Sequence, residues 1–98
     1  LQLLTDMIDF GLNIQEALEL PRFLSGRISL GEARDMLHLE GRMPEATFDG
    51  LAARGHKMNR WADWNNRAGH AHGIVIEPGS GLYTGGSDPR SDGAAVGY

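Results

Sequence analysis

"HAHGIVIEPGSGLYTGGSDPR", residues 70–90, sets the architecture. "HGIVIE" is apolar and β-branched, "PGSG" joins residue types that accept turn conformations, and "LYTGGSD" returns on the far side, so the stretch predicts a β-hairpin. The "GGSDPRSDGAAVGY" that closes the chain is poor in apolar bulk. Composition alone makes it a candidate floppy tail; beside the hairpin, the small residues Gly93, Ala94, Ala95 and Gly97 would let its backbone lie close against neighbouring elements, a strand end and packed terminus with Tyr98 as a final anchor.

Upstream, two short helices are predicted. Leu1, Leu4, Ile8 and Leu12 fall near helical spacing, Leu3, Met7 and Phe10 widen the apolar face, and Gly11 closes the segment. Asn13 is placed to cap "NIQEALEL", with Glu16 at the capping-box position and Pro21 as the stop. The apolar surface of this pair is wide for its length, which implies packing against something larger. Between the helices and the hairpin, "FLSGRISL" and "ARDMLHLEG" predict strands, the second alternating Met36, His38 and Glu40 against Leu37 and Leu39. "PEATFDGLAARG" predicts a helix opened by Pro44 and ended by Arg54 and Gly55, and "HKMNRWADW" an exposed or edge strand. The fold class is therefore α+β, antiparallel strands with helices on one face.

Composition narrows the function classes. The chain has 98 residues and a formal net charge of -4, one lysine (Lys57) and no cysteine. Phosphate binding calls for clustered cations, so no nucleic-acid partner is expected. Thiolate metal sites and disulfides are ruled out, a state compatible with cytoplasm or periplasm. The apolar runs are short and broken by charge, and no membrane partner is expected. The length suits one domain. The chain opens at Leu1 without an initiator methionine and already inside a helical pattern, which predicts a processed product or a segment of a longer protein.

Candidate chemistry is sparse. His70 and His72 would point the same way on a strand, but a metal site needs a third ligand that the sequence does not offer, so no metal and no cofactor is expected. Trp61 and Trp64 beside Arg60 and Arg67 resemble a stacking platform, yet such pairs more often cap a core edge. Asp6 with Asp9, and Glu16 with Glu19, are surface neighbours on their helices without a reason for a raised pKa. Gly85, Gly86 and Ser87 could form an anion nest, but no helix is predicted after them.

Several separated stretches carry a resemblance. "IDFGLNIQEALELPRF", "FDGLAARGHK" and "AHGIVIEPGSGLYTGGSDPRSDGAAVGY", in this order, resemble the C-terminal end of the small subunit of the γ-glutamyltransferase (γ-glutamyltranspeptidase) family, over nearly the whole chain. The resemblance implies a piece of the four-layer αββα N-terminal-nucleophile hydrolase sandwich. It implies a precursor that cleaves itself, and an N-terminal threonine whose hydroxyl attacks a γ-glutamyl amide of glutathione type while its amino group serves as base. That threonine, the glutamate-binding residues and the oxyanion Gly-Gly pair would lie upstream of Leu1, so residues 1–98 form one incomplete domain with no catalytic or substrate-binding residue. The segment alone is expected to be inactive. Thr5, Thr47 and Thr84 match no self-cleavage motif.

The partners implied are the rest of the precursor, namely the large subunit and the upstream part of the small subunit, and a small-molecule γ-glutamyl substrate for the parent. In isolation the exposed apolar helix faces predict an oligomer. Relatives of the same architecture that act on other amides remain the alternative, as does a non-catalytic interaction module. Arg22 and Arg90, each following a proline, match positions of the family's motifs. They are expected to brace structure and maturation, with Asp88 as an acidic partner.

Overall fold

The computed structural model describes residues 1–97; the anchoring expected of Tyr98 falls outside them. The chain divides into two units, Pro21–Gly69 and the two flanking segments, Leu1–Leu20 with the part from His70 onward.

In the flanking unit, helix α1 spans Gln2–Ile8 and α2 spans Ile14–Glu19. Gly11, at φ 71°, turns the chain between them in a conformation that costs glycine little. The capping box forms as expected: the Glu16 N–H donates to the Asn13 side chain and the Asn13 N–H to the Glu16 carboxylate, each at 2.9 Å. Six residues are too few to hold a helix unaided, so α2 depends on this cap and on burying Ile14, Ala17 and Leu18. Asn13→Ala should therefore cost about 1 kcal/mol in a thermal unfolding experiment. The helix ends at Leu20, whose ψ of 147° is the extended backbone expected before Pro21.

Strands β1 (Phe23–Ser25), β2 (Met36–Glu40) and β3 (Lys57–Trp61) belong to the central unit, β4 (His72–Ile76) and β5 (Tyr83–Ser87) to the flanking one. β4 and β5 form the expected hairpin, with Ile74 opposite Gly85 and Gly73 opposite Gly86. Glycine at these positions lets α2 approach: a Cβ on Gly86 would lie 2.7 Å from Leu18 Cδ1, and one on Gly73 would overlap Ile14 Cδ1. On the other face, a Cβ on Gly85 would lie 2.9 Å from Ala95 Cβ, and one on Gly93 2.8 Å from Ser87 Oγ. The segment around Gly93 and Ala95 therefore lies against the hairpin, as its small residues suggested. Much apolar surface stays open, including Leu4, Ile8 and Phe10 around α1 and Ile74, Ile76, Leu82 and Tyr83 on the hairpin.

In the central unit β2 lies between β1 and β3. β1 pairs with β2 antiparallel, whereas β3 pairs with β2 parallel, from Met36 opposite Lys57 to Glu40 opposite Trp61. Among the described residues the parallel pair is the one departure from antiparallel neighbours. Its cause is helix α3 (Glu45–Ala53), which carries the chain back to the starting end of the sheet, as parallel strands require. Pro44 stands just before the first helical residue of α3. Gly55, at φ 90°, follows its end, and the Arg54 guanidinium donates to the Gly50 carbonyl at 2.7 Å. Leu39, Phe48 and Trp61 are the buried apolar residues of this unit, each worth about 1.5–3 kcal/mol by removal from water. β3 is an edge strand in its sheet, as expected.

Candidate functional site

The groups best placed to matter are buried ions. In the flanking unit Asp88 is 1% exposed and Arg90 7%, with both side chains fully enclosed. Pro89, with its fixed φ, separates them, and the turn brings the Asp88 carboxylate onto the Arg90 backbone N–H at 3.0 Å and its guanidinium at 3.1 Å. The second carboxylate oxygen of Asp88 accepts from the Ala71 N–H at 2.9 Å, tying the residue before β4 to the one after β5. Arg90 spends its fork on the C-terminal end of α2, donating to the carbonyls of Leu18 and Leu20 at 2.8 Å each. Last-turn carbonyls are the ones a helix leaves for outside donors, and a cation there also suits the helix dipole. Arg90 and Asp88 thus join the helix end, the hairpin base and the terminal turn.

Arg22, also buried, serves the central unit. Its guanidinium donates to the carbonyls of Ala68 and Gly69, at 3.3 and 3.1 Å, at the end of a single 3-10 turn over Asn66–Ala68. Its own N–H donates to Glu40 Oε2 at 2.9 Å. Glu40 is 0% exposed, and its other oxygen accepts from the Asn65 N–H at 2.9 Å. One carboxylate therefore fastens the approach to β1 and the loop after β3 to the end of β2. Sequence reasoning missed Glu40 as a site residue. The available signal was its place beyond Met36 and His38 on one face of β2, a polar residue where a half-apolar face continues.

The other candidates take structural places. Trp61 stacks on His38 with ring centroids 5.0 Å apart. His38 Nε2 faces the Gly26 carbonyl at 2.9 Å, an acceptor, so that nitrogen carries the proton; Nδ1 accepts from Asn59 at 2.8 Å. Arg60 lies over the Phe48 ring and Arg42 over Trp64, so the arginines and tryptophans form separate stacked pairs instead of one platform. His72 faces Ser87 Oγ at 3.4 Å across the hairpin, and His70 is exposed in the preceding loop. Among the described residues no cluster of three or more His, Cys, Asp or Glu is placed to hold a metal. Glu16 and Glu19 are exposed, each engaged with a neighbour on its own helix.

Glu32 organises the loop between β1 and β2. Its carboxylate accepts from Arg67 and from the N–H groups of Ile28 and Ser29, at 3.0 and 3.3 Å. The Arg67 hydrogen bond first, then those two backbone bonds, hold its pKa down at about 2. A depressed folded pKa stabilises the loop above the ordinary carboxylate value of 4.5, and that contribution is lost as pH falls towards about 2. Arg67→Met should raise the Glu32 pKa from about 2 part of the way to the ordinary value, the Ile28 and Ser29 N–H bonds remaining, read by carboxyl-detected NMR titration.

The family model for gamma-glutamyltranspeptidase matches residues 1–98. The chain is 44% identical over 96 residues to an oxamate amidohydrolase proenzyme of Klebsiella pneumoniae, covering 98% of this chain and 18% of that protein. It is 38% identical over 95 residues to the glutathione hydrolase-like YwrD proenzyme of Bacillus subtilis, covering 97% of this chain and 18% of that protein. The structure superposes on a cephalosporin acylase from Bacillus halodurans with a TM-score of 0.78 at 31% identity, covering 99% of this chain and 17% of the other. The chain thus spans less than a fifth of the length of the curated relatives it matches. Its α+β fold is that of N-terminal-nucleophile acylases and transpeptidases, and its relatives are made as proenzymes. Matched from end to end and in three dimensions, the chain belongs to the gamma-glutamyltranspeptidase family.

Proposed function

We propose that the protein containing this chain is a self-cleaving precursor. It would break amide bonds through an acyl-enzyme on an N-terminal threonine upstream of Leu1, with residues 1–98 as an inactive, incomplete C-terminal part of its small subunit. The donor we assign is a γ-glutamyl amide of glutathione type, with water or an amino acid as acceptor. The observation that carries the scaffold role is how the buried polar side chains are used. Arg90, Asp88, Arg22 and Glu40 all make hydrogen bonds to backbone groups, joining elements far apart in sequence. Such groups hold a fold in register, and in this reading they are braces for assembly and maturation, not contacts to substrate. The rest of the precursor is the partner that would cover the open apolar surface of α1 and the hairpin.

A second reading, hydrolysis of a small amide lacking the glutamyl group, is favoured by the oxamate amidohydrolase at 44% identity. Steady-state kinetics of the full-length protein separate the two. Under the first reading kcat/KM for a γ-glutamyl anilide exceeds that for oxamate, and an added amino acid acceptor raises turnover. Preference for oxamate, with no response to acceptor, assigns the second reading and overturns the first.

A further inference from the structure

Asp-Gly occurs twice in the chain, at Asp49–Gly50 and at Asp92–Gly93, and Asn-Gly does not occur. This dipeptide carries its own chemistry. Glycine has no Cβ to keep its backbone nitrogen away from the carboxyl carbon of the aspartate before it, and its backbone reaches conformations closed to other residues. Attack of that nitrogen on Cγ forms a C–N bond and closes a five-membered succinimide, the amide proton and the carboxyl hydroxyl leaving together as water. Water then adds to the former main-chain carbonyl carbon and the C–N bond there breaks, the nitrogen keeping its new bond to Cγ and taking a proton. The chain now runs through Cγ as isoaspartate, with its mass unchanged.

The two sites share a dipeptide and differ in what surrounds it. Both aspartates are exposed. Gly50, however, lies inside α3, where its N–H belongs to the helical ladder and its carbonyl accepts from the Arg54 guanidinium at 2.7 Å. Asp92 stands in irregular backbone between two fixed points. Behind it the turn is held by the Ser91 N–H, which donates to the Asp88 carbonyl at 3.2 Å. Ahead of it Gly93 is seated on the hairpin, so closely that a Cβ there would lie 2.8 Å from Ser87 Oγ and 3.1 Å from His72 Cε1. Among the described residues the Gly93 N–H has no hydrogen-bond partner, which leaves the attacking nitrogen free.

We propose that Asp92–Gly93 is a modification site, where the exposed aspartate converts to isoaspartate in the folded protein while the same dipeptide in α3 is protected, and that the product unseats the following segment from the hairpin. Isoaspartate adds one carbon to the main chain between Asp92 and Gly93, about 1.5 Å of extra chain. Gly93 has no room to absorb it against Ser87 and His72, and Ala95 beyond it is packed on Gly85, where a glycine Cβ would lie 2.9 Å from the alanine's. The segment therefore lifts from β4 and β5. The site belongs to the chain itself and stands whichever amide the parent protein cleaves.

The test is to age the full-length protein in warm neutral buffer, then to digest it and fragment the peptides by electron transfer, which distinguishes aspartate from isoaspartate at each position. Isoaspartate at Asp92 is expected to accumulate at least ~10-fold faster than at Asp49, whose reaction waits for α3 to open. In denaturant, with α3 lost, the two rates should converge. Similar rates at the two sites in the folded protein, faster reaction at Asp49, or no isoaspartate at Asp92 overturns the proposal, and rates that stay apart in denaturant overturn the protection assigned to α3. The unseating is read by NMR on protein labelled at histidine Cε1. A second His72 signal should grow in step with isoaspartate at Asp92. It should be absent from aged Asp92→Glu, whose longer side chain would have to close a six-membered ring. An unshifted His72 signal in the isomerised protein, or the same second signal in aged Asp92→Glu, overturns the unseating.

Discussion

Arg90→Ala in the full-length protein is expected to lower stability by about 3–5 kcal/mol, the usual cost of removing one member of a buried ion pair. The loss has three parts in this structure. Asp88 keeps its buried charge without the guanidinium 3.1 Å away, and the carbonyls of Leu18 and Leu20 lose donors at 2.8 Å. α2 then loses the group that fixes its C-terminal end above the hairpin base. Arg90→Lys retains the charge, but a point ammonium does not reproduce a fork that serves two carbonyls and a carboxylate together, so it should recover only part of the loss. Calorimetry reads the stability, and a denaturing gel of the expressed precursor reads subunit formation. In the maturation role we assign to this brace, uncleaved precursor accumulates in Arg90→Ala and less so in Arg90→Lys. A melting temperature and cleavage pattern equal to the parent's would remove the brace.

Glu40→Ala should be of similar size, about 2–6 kcal/mol, because it leaves the buried Arg22 and Asn65 N–H groups without their acceptor at about 1–3 kcal/mol each. Glu40→Gln is the sharper variant. Its two side-chain ends differ, so one of the two N–H donors, both at 2.9 Å, must face an NH2 group. We expect about 1–3 kcal/mol for that single unmet donor, detected as a shift in the denaturant midpoint with an unchanged slope. A neutral Glu40→Gln would show that the carboxylate is not what fastens β2 to the loop after β3.

These two residues also mark what the sequence made legible. Local chemistry was readable: the Asn13–Glu16 capping box, the stop at Pro21 and the hairpin around "PGSG" each depend on residues only a few positions apart. Arg22, Asp88 and Arg90 stood out because prolines fix the backbone beside them and the family's motifs include the arginines. Their partners were not legible, since Arg90 reaches Leu18 and Leu20 across some seventy residues and Arg22 reaches Gly69 across nearly fifty. Glu40 escaped for the same reason. A glutamate at a strand end is usually solvated, and its burial follows from β1 and the loop at Asn65 closing over it. The parallel pairing of β2 with β3 was likewise hidden, because the direction of return through α3 is a property of packing, not of either strand's own pattern.

The central claim, that this chain is the C-terminal part of a self-processing amide-bond enzyme, is tested most directly by intact mass and N-terminal sequencing of the purified full-length protein. The account predicts two polypeptides whose masses sum to that of the precursor plus one water, taken up when the peptide bond is hydrolysed. The smaller should begin with threonine and contain this chain. A single uncleaved polypeptide without amide-hydrolysing activity, or a cleaved one whose smaller piece begins with a residue that is not a nucleophile, would contradict it.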